Sequence, residues 1–277
     1  MQNLTAYERF RALHERAGAF VMPNAWDGAS AALLARAGFE ALGSTSLGLA
    51  LSLGRLDGRH AVSRDEAVAH AALLGRISGI PVNGDLEDGF GAEPEACAQT
   101  VRAAIAAGLA GLGIEDTTAD PARPIHDFDA AVARVRAAAR AAHGRILLTG
   151  RTDNFLNGRN DLDDTVRRLS AFAEAGADVL YAPCLPDMAA IVAVVRAVAP
   201  KPVNVLIGPE DEAVSLAQLA AAGVRRVSVG GALYRVAMTS LAKAAAALRS
   251  GDLGAVAGAI PGSEIAAAFA KETPLAP

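Results

Sequence analysis

The sequence predicts an α/β chain closed into a (β/α)8 TIM-type barrel, and three observations carry that prediction. Eight short, nearly continuous apolar segments alternate with helical patterns, which is how a parallel sheet covered on both faces reads. A glycine repeatedly closes a helix just before the next apolar segment, as in Ala37-Gly38-Phe39, Ala107-Gly108-Leu109, Ala175-Gly176-Ala177 and Ala222-Gly223-Val224, the mark of one shared helix-to-strand turn. Polar residues gather at the C-terminal ends of the segments, where a barrel carries its chemistry. At 277 residues the chain matches one barrel, so 1–277 reads as a single domain with a short N-terminal helix and an Ala-rich C-terminal tail.

The elements follow in order. Thr5 to Ala17 has helical spacing through Tyr7, Phe10 and Leu13 and leads into a first strand, Phe20 to Ala25. Asp27 caps a helix that Gly38 ends, and Ala41 to Ser46 forms strand two. A segment of small residues, Leu47 to His60, precedes a helix opened by the capping box Ser63/Glu66. Strand three runs into the acids at 85–88, and its helix spans Pro94 to Ala107. Strand four is Gly111 to Glu115, followed by a Pro-, Thr- and Asp-rich loop over 117–125 and a helix from Asp129 to Ala142. Ile146–Thr152, Val179–Ala182, Val203–Ile207 and Val227–Gly230 complete the strands, with Asp163–Ala175 helical and a last helix at Ser263–Ala270.

Composition narrows the function classes. The net charge is −4 and the basic residues are scattered, with no basic stripe and only 4% aromatics, so a nucleic-acid partner is excluded. No run approaches the ~20 apolar residues of a membrane span. The start of the chain is polar and amphipathic rather than a charged stretch before an apolar block, which predicts a cytoplasmic protein. Cys97 and Cys184 are too few and too isolated for a disulfide framework or a zinc site.

The chemistry centres on Val82-Asn83-Gly84-Asp85-Leu86-Glu87-Asp88-Gly89. On a strand, residues i and i+2 share a face, so Asp85 and Glu87 are expected on one side, with Leu86 and Asp88 on the other. Like charges in one low-dielectric place repel unless a cation or a shared proton neutralises them. Asn24, Ser44, Thr45, Ser46, Glu115, Arg151, Asp153, Asn154, Tyr181, Asn204 and the Gly230-Gly231 pair stand at other strand ends, and Asp57 lies in the segment after strand two. Four acids (Asp57, Asp85, Glu87, Glu115) facing Arg151 predict Mg2+ or Mn2+ held through oxygen and bridging water, with the arginine forked onto a substrate carboxylate. Hydroxyls and N–H groups at Ser44, Thr45 and Ser46, with Asn204 and Tyr181, are the expected lining for the rest of a small 2-oxo carboxylate. His126 is a loop candidate for acid–base work, Cys184 a candidate by position, and Gly230-Gly231 a candidate phosphate cradle. A Schiff-base lysine is excluded, because Lys201 falls at the start of a strand rather than its end.

Asp85-Leu86-Glu87-Asp88-Gly89-Phe90-Gly91, Gly113-Ile114-Glu115-Asp116, Gly150-Arg151-Thr152-Asp153 and Gly43-Ser44-Thr45-Ser46, with Asp57 thirteen residues after Ser44, resemble the isocitrate lyase/phosphoenolpyruvate mutase superfamily from about Pro23 to Arg249. The resemblance implies Mg2+-dependent cleavage or rearrangement of C–C or P–C bonds through enolates. It also implies a homodimer or homotetramer, with an Ala-rich helix (Arg235 to Arg249) exchanged between subunits. By the same resemblance Asp85 is the nearest metal ligand, Asp57, Glu87 and Glu115 hold its waters, Ser44, Thr45 and Ser46 line the oxo-acid pocket, and Arg151 grips a carboxylate. Arg151, Asp57 and Ser44 are the residues expected to take part in catalysis. Two departures shape the expected reaction. Glu87 stands where the motif often has Asp, and the loop over 117–127 has neither the Cys nor the Lys of the lyases' catalytic loop. Cleavage of a C–C bond in an oxaloacetate-like 2-oxo dicarboxylate is therefore the leading expectation, ahead of phosphonopyruvate-type P–C chemistry, isocitrate- or methylisocitrate-type cleavage, and binding of an oxo acid without turnover.

Overall fold

The computed structural model describes residues 4–58, 60–209 and 214–269. Among these residues nine parallel strands form one sheet in the order β1-β9-β8-β7-β6-β5-β4-β3-β2. They are β1 (Phe20–Met22), β2 (Asn24–Ala25), β3 (Leu42–Ser44), β4 (Val82–Asp85), β5 (Gly111–Glu115), β6 (Leu147–Arg151), β7 (Val179–Tyr181), β8 (Val203–Leu206) and β9 (Arg226–Ser228). β1 and β2 are the two halves of the expected first strand, parted at Pro23, which has no N–H to give a ladder. β1 pairs with the last strand and β2 with β3, so the chain itself completes the ring at Pro23. Asn24 fastens this seam. Its Nδ2 donates to the Ser44 carbonyl at 2.7 Å, and its Oδ1 accepts from the N–H groups of Val229 (3.1 Å) and Gly230 (2.9 Å).

Eleven helices are described: α1 (Ala6–Glu15), α2 (Gly28–Arg36), α3 (Ser46–Ser52), α4 (Arg64–Ser78), α5 (Pro94–Ala106), α6 (Phe128–Ala142), α7 (Leu162–Ala175), α8 (Met188–Val198), α9 (Leu216–Ala221), α10 (Ala232–Arg249) and α11 (Gly262–Phe269). The capping signals act as expected at Asp27 and at Ser63/Glu66. α3 is the element the sequence did not announce. Thr45, expected as pocket lining, caps it by accepting from the Gly48 N–H at 3.3 Å, and strand two stops at Ser44. The expected last helix is present as Gly262–Phe269 and packs on α2, while Ala270 lies outside the described residues.

The helices bury their apolar stripes against the sheet in one continuous core. A smaller cluster plugs the N-terminal end, where Phe10 and Leu13 of α1 meet strand starts at Phe20, Ala41, Ala110 and Leu147. His14 is buried in this plug, its ring edge-on to Phe10 and Phe20, with Nδ1 2.8 Å from the Phe10 carbonyl. Burial, and then the neighbouring Arg226 guanidinium, press its pKa down from 6.5 to about 3. The folded value lies below the unfolded one, so this contribution to stability is complete above pH 6.5 and is lost as the pH falls toward 3. We expect His14 to cost about 2 kcal/mol of unfolding free energy between pH 7 and pH 5. Urea unfolding at the two pH values checks it, since that part of the pH dependence should vanish in His14→Leu.

α10 is the exception to the packing. Of its 18 residues only Tyr234 is buried, edge-on to Trp26 at 5.7 Å, while Val236 and Leu241 are 59% and 61% exposed. Among the described residues no helix is long and apolar enough to cross a membrane.

Candidate active site

Strand register assembles the site. Glu115 on β5 is the partner of Arg151 on β6, Arg151 of Tyr181 on β7, and Tyr181 of Asn204 on β8, which sets four polar side chains abreast. Asp85 ends β4 beside them. The ladder stops there, and Glu87 takes a left-handed backbone (φ 48°) instead of continuing the strand. Leu86 is buried in the core while Glu87 and Asp85 face the barrel mouth, as expected. Asp88, expected on the side of Leu86, instead borders the mouth beside Glu87, because the left-handed turn ends the strand alternation. Gly89 makes the turn possible. Its φ is 88°, and a Cβ there would lie 3.2 Å from the Cα of Cys97 on α5, so the loop can cross that helix only without a side chain.

Two chambers open at this end of the barrel. An outer cavity of about 470 Å3 is bordered by Ser46, Asp57, His60, Glu87, Asp88, Glu115, Thr117, Arg151 and Asp153. An inner one of about 210 Å3 lies against Ser44, Thr45, Asp85, Tyr181, Asn204 and Arg226. Ser46, Asp57 and Arg151 border both. The residues named from the sequence as catalytic, substrate-binding or metal-holding therefore meet in one place. Asp85 is fixed by the Ser46 N–H donating to Oδ2 at 2.9 Å, while its own N–H donates to Ser44 Oγ at 2.8 Å. Thr117 donates to Glu115 at 2.7 Å.

Arg151 is engaged differently from the sequence expectation. Its Nε and Nη2 donate to the two oxygens of Asp153 at 2.6 and 2.8 Å, so the planar fork is already filled. Nη1 lies 3.0 Å from Glu115 and 3.6 Å from Asp85, and the guanidinium sits over the Tyr181 ring at 5.2 Å. A substrate carboxylate would meet the outer N–H groups and the positive charge rather than an empty fork. Asp153 is held in turn by Asp116, whose buried carboxylate accepts from the Asp153 N–H (2.9 Å), Thr152 Oγ1 (2.7 Å) and Arg168 (3.1 Å). Burial pushes the Asp116 carboxyl up to about 6 despite these donors. Arg-x-Asp at the end of β6 is the visible signal for the Arg151–Asp153 pair; Asp116 and Arg168, 52 residues apart, leave none.

Asn204 is tied down as well. Its Oδ1 accepts from Arg226 at 2.8 Å and its Nδ2 donates to Ser228 at 2.9 Å, so its amide borders the inner chamber with both ends engaged. The Gly230 N–H, expected to face a phosphate with that of Gly231, is instead given to Asn24. His126 borders a neighbouring surface cavity rather than the acid chamber, and Cys184 borders a pocket with Leu185 and Met188.

Charge defines what the site can hold. Burial, then the charge of Asp85, raises the carboxyl of Asp57, and the same causes with Asp57 added push Glu87 up to about 8. Burial lifts Glu115 well above the ordinary range against the pull of Arg151. These are carboxylates that a cation would relieve, and every donor is a hard oxygen. Among the described residues no three His, Cys, Asp or Glu side chains stand close enough to grip an ion together. Carboxylate oxygens that repel one another are donors of the kind a hard divalent ion takes.

Comparison with known proteins extends the reading over the whole barrel. Residues 10–249 match the family model described as phosphoenolpyruvate phosphomutase. An uncharacterized Mycobacterium tuberculosis protein is 34% identical over 88% of this chain and 90% of its own length. Oxaloacetate decarboxylase of Paraburkholderia xenovorans is 31% identical over 90% of this chain and 84% of its own. Among solved structures, one from Burkholderia cenocepacia, described provisionally as a lyase/mutase, is 48% identical with a TM-score of 0.92 over 96% of both chains. 2,3-Dimethylmalate lyase superposes with a TM-score of 0.87 at 25% identity, over 97% of this chain and 95% of that one.

Proposed function

Because this chain belongs to the phosphoenolpyruvate phosphomutase family of lyases and mutases, we propose that it is a Mg2+- or Mn2+-dependent lyase that cleaves a C–C bond of a small, oxaloacetate-like 2-oxo dicarboxylate. The observation that carries this reading is the ring of Asp57, Asp85, Glu87 and Glu115 around one arginine, beneath a loop without Cys or Lys. Asp85 is the carboxylate that would hold the ion, with Asp57, Glu87 and Glu115 on its waters. When bound, the ion draws electron density from the keto oxygen and so favours the enolate left when the C–C bond breaks. Arg151, stiffened by Asp153 and Tyr181, attracts the substrate carboxylate and sets its orientation. Ser44, Thr45, Ser46, Tyr181 and Asn204 line the inner chamber, and a compact oxo acid suits the place where it meets the outer one, at Ser46, Asp57 and Arg151. A chain of 277 residues with two cysteines, too few for a disulfide framework, fits a cytoplasmic enzyme.

A substrate panel with Mg2+ tests the reading. Oxaloacetate, methylisocitrate, isocitrate, dimethylmalate and phosphonopyruvate are compared by pyruvate release, with phosphoenolpyruvate formation measured separately. Oxaloacetate should turn over fastest; methylisocitrate as the best substrate would sink the argument from the loop. Arg151→Lys should lower the affinity for oxalate at least ~10-fold, because an ammonium cannot hold both Asp153 and a ligand in a plane. An unchanged oxalate titration in that variant would remove Arg151 from substrate binding.

The same reading makes the protein a homodimer or homotetramer that exchanges α10 between subunits. The apolar residues left exposed along α10 support it, since a lone chain gives them nothing to pack on. Light scattering should find at least twice the 28.2 kDa chain mass, and a single-chain species at micromolar concentration would overturn the assembly.

A further inference from the structure

Cleavage of an oxaloacetate-like acid leaves an enolate carbon that must take up a proton, and the loop after β5 has no cysteine to give one. The outer chamber holds another candidate. His60 borders it at 32% side-chain exposure, and its Nε2 lies 2.8 Å from Asp88 Oδ1. That oxygen also accepts from the Phe90 N–H at 2.9 Å, so it acts as an acceptor, and Nε2 is the nitrogen that donates. Asp88 is itself buried, with Arg134 Nη2 3.5 Å from its Oδ2, and the same guanidinium donates to the backbone carbonyls of Asp88, Gly91 and Ala92. A buried arginine fixes an acid, and the acid fixes an imidazole with Nδ1 left over. This is the arrangement that orients a histidine for proton transfer. The other carboxyl groups of the chamber have tasks already: Asp57, Glu87 and Glu115 around the cation, Asp153 on Arg151, and Asp88 on His60.

The geometry points to His60 as the residue that protonates the enolate, with Asp88 and Arg134 as its positioning residues; this rests on the lyase reading above. The C3–C4 bond of oxaloacetate breaks, its electron pair forms the C2–C3 enolate as CO2 departs, and C3 takes the Nδ1 proton of the imidazolium, which leaves a neutral ring still donating from Nε2 to Asp88. Solvent then reprotonates the ring.

The experiment is exchange of the pyruvate methyl protons in 2H2O with Mg2+, followed by NMR, which reads proton transfer without bond cleavage. Alongside it, 3-methyloxaloacetate is cleaved in 2H2O and the configuration of deuterium in the 2-oxobutyrate is determined. Wild-type protein should exchange and should label one face. His60→Gln should exchange at least ~100-fold more slowly and label both faces, while calorimetry finds its oxalate affinity within about threefold of wild type. Asp88→Asn should give a smaller loss of exchange. Unchanged exchange and one-face labelling in His60→Gln overturn the assignment. Loss of oxalate binding together with exchange also overturns it, since His60 would then only latch the segment that carries Asp57. Wild-type protein that cleaves no oxo acid and exchanges no protons removes the lyase reading and this assignment with it.

Discussion

Asp85→Ala should lower metal-dependent turnover by at least ~1000-fold, equivalent to roughly 4 kcal/mol of transition-state stabilisation, the scale on which a Lewis-acid ion acts. The geometry makes Asp85 the acid whose loss has the most consequences. It ends β4, is held by the Ser46 N–H, stands 3.6 Å from Arg151, and contributes to the raised pKa values of both Asp57 and Glu87. Its removal also relieves repulsion among those acids. The fold should therefore keep its melting temperature or gain slightly, which separates loss of the ion from loss of structure. Calorimetric titration with Mn2+ is the direct measurement. An affinity equal to wild type in Asp85→Ala would refute the assignment even if activity fell.

How much of this could be read from the chain differs by level. The barrel was legible because each strand and its helix are signalled locally, and Gly111–Glu115 even has the limits the pattern suggests. The convergence of Glu115, Arg151, Tyr181 and Asn204 was legible too, because strand ends in a barrel are brought together by register alone. α3 was missed because Leu47 to His60 lacks helical periodicity, and its start signal, Thr45, was also a plausible pocket residue. The left-handed backbone at Glu87 had no signal, since only the glycine two residues later announced a turn. What each polar side chain spends its hydrogen bonds on was also beyond reach. Asp153 filling the fork of Arg151, Arg226 holding Asn204, and Asp88 meeting His60 across 28 residues are outcomes of three-dimensional competition for donors.

Asp116→Ala should be among the most destabilising substitutions near the site, costing about 3–5 kcal/mol, the scale for breaking a buried ion pair from one side. The carboxylate is 2% exposed and accepts from Arg168, Thr152 and the Asp153 N–H. Without it those donors stay buried, and Arg168, itself 2% exposed, keeps only Asp164 (2.6 Å) and the His126 carbonyl (2.9 Å). A drop of about 10 °C in melting temperature follows from the entropy of unfolding a chain of this size. The pair is not favourable merely because it is charged: burial has pushed the Asp116 carboxyl up to about 6, so desolvation outweighs what the donors supply. Asp116→Leu combined with Arg168→Met should therefore melt above Asp116→Ala alone, because no unpaired charge is left inside. The same loss should reach the site. With the Asp153 N–H released, Arg151 loses the support of its fork, and oxalate affinity should fall together with stability. Asp116→Ala melting within ~2 °C of wild type, with oxalate binding unchanged, would show that Arg151 is held in place without this network.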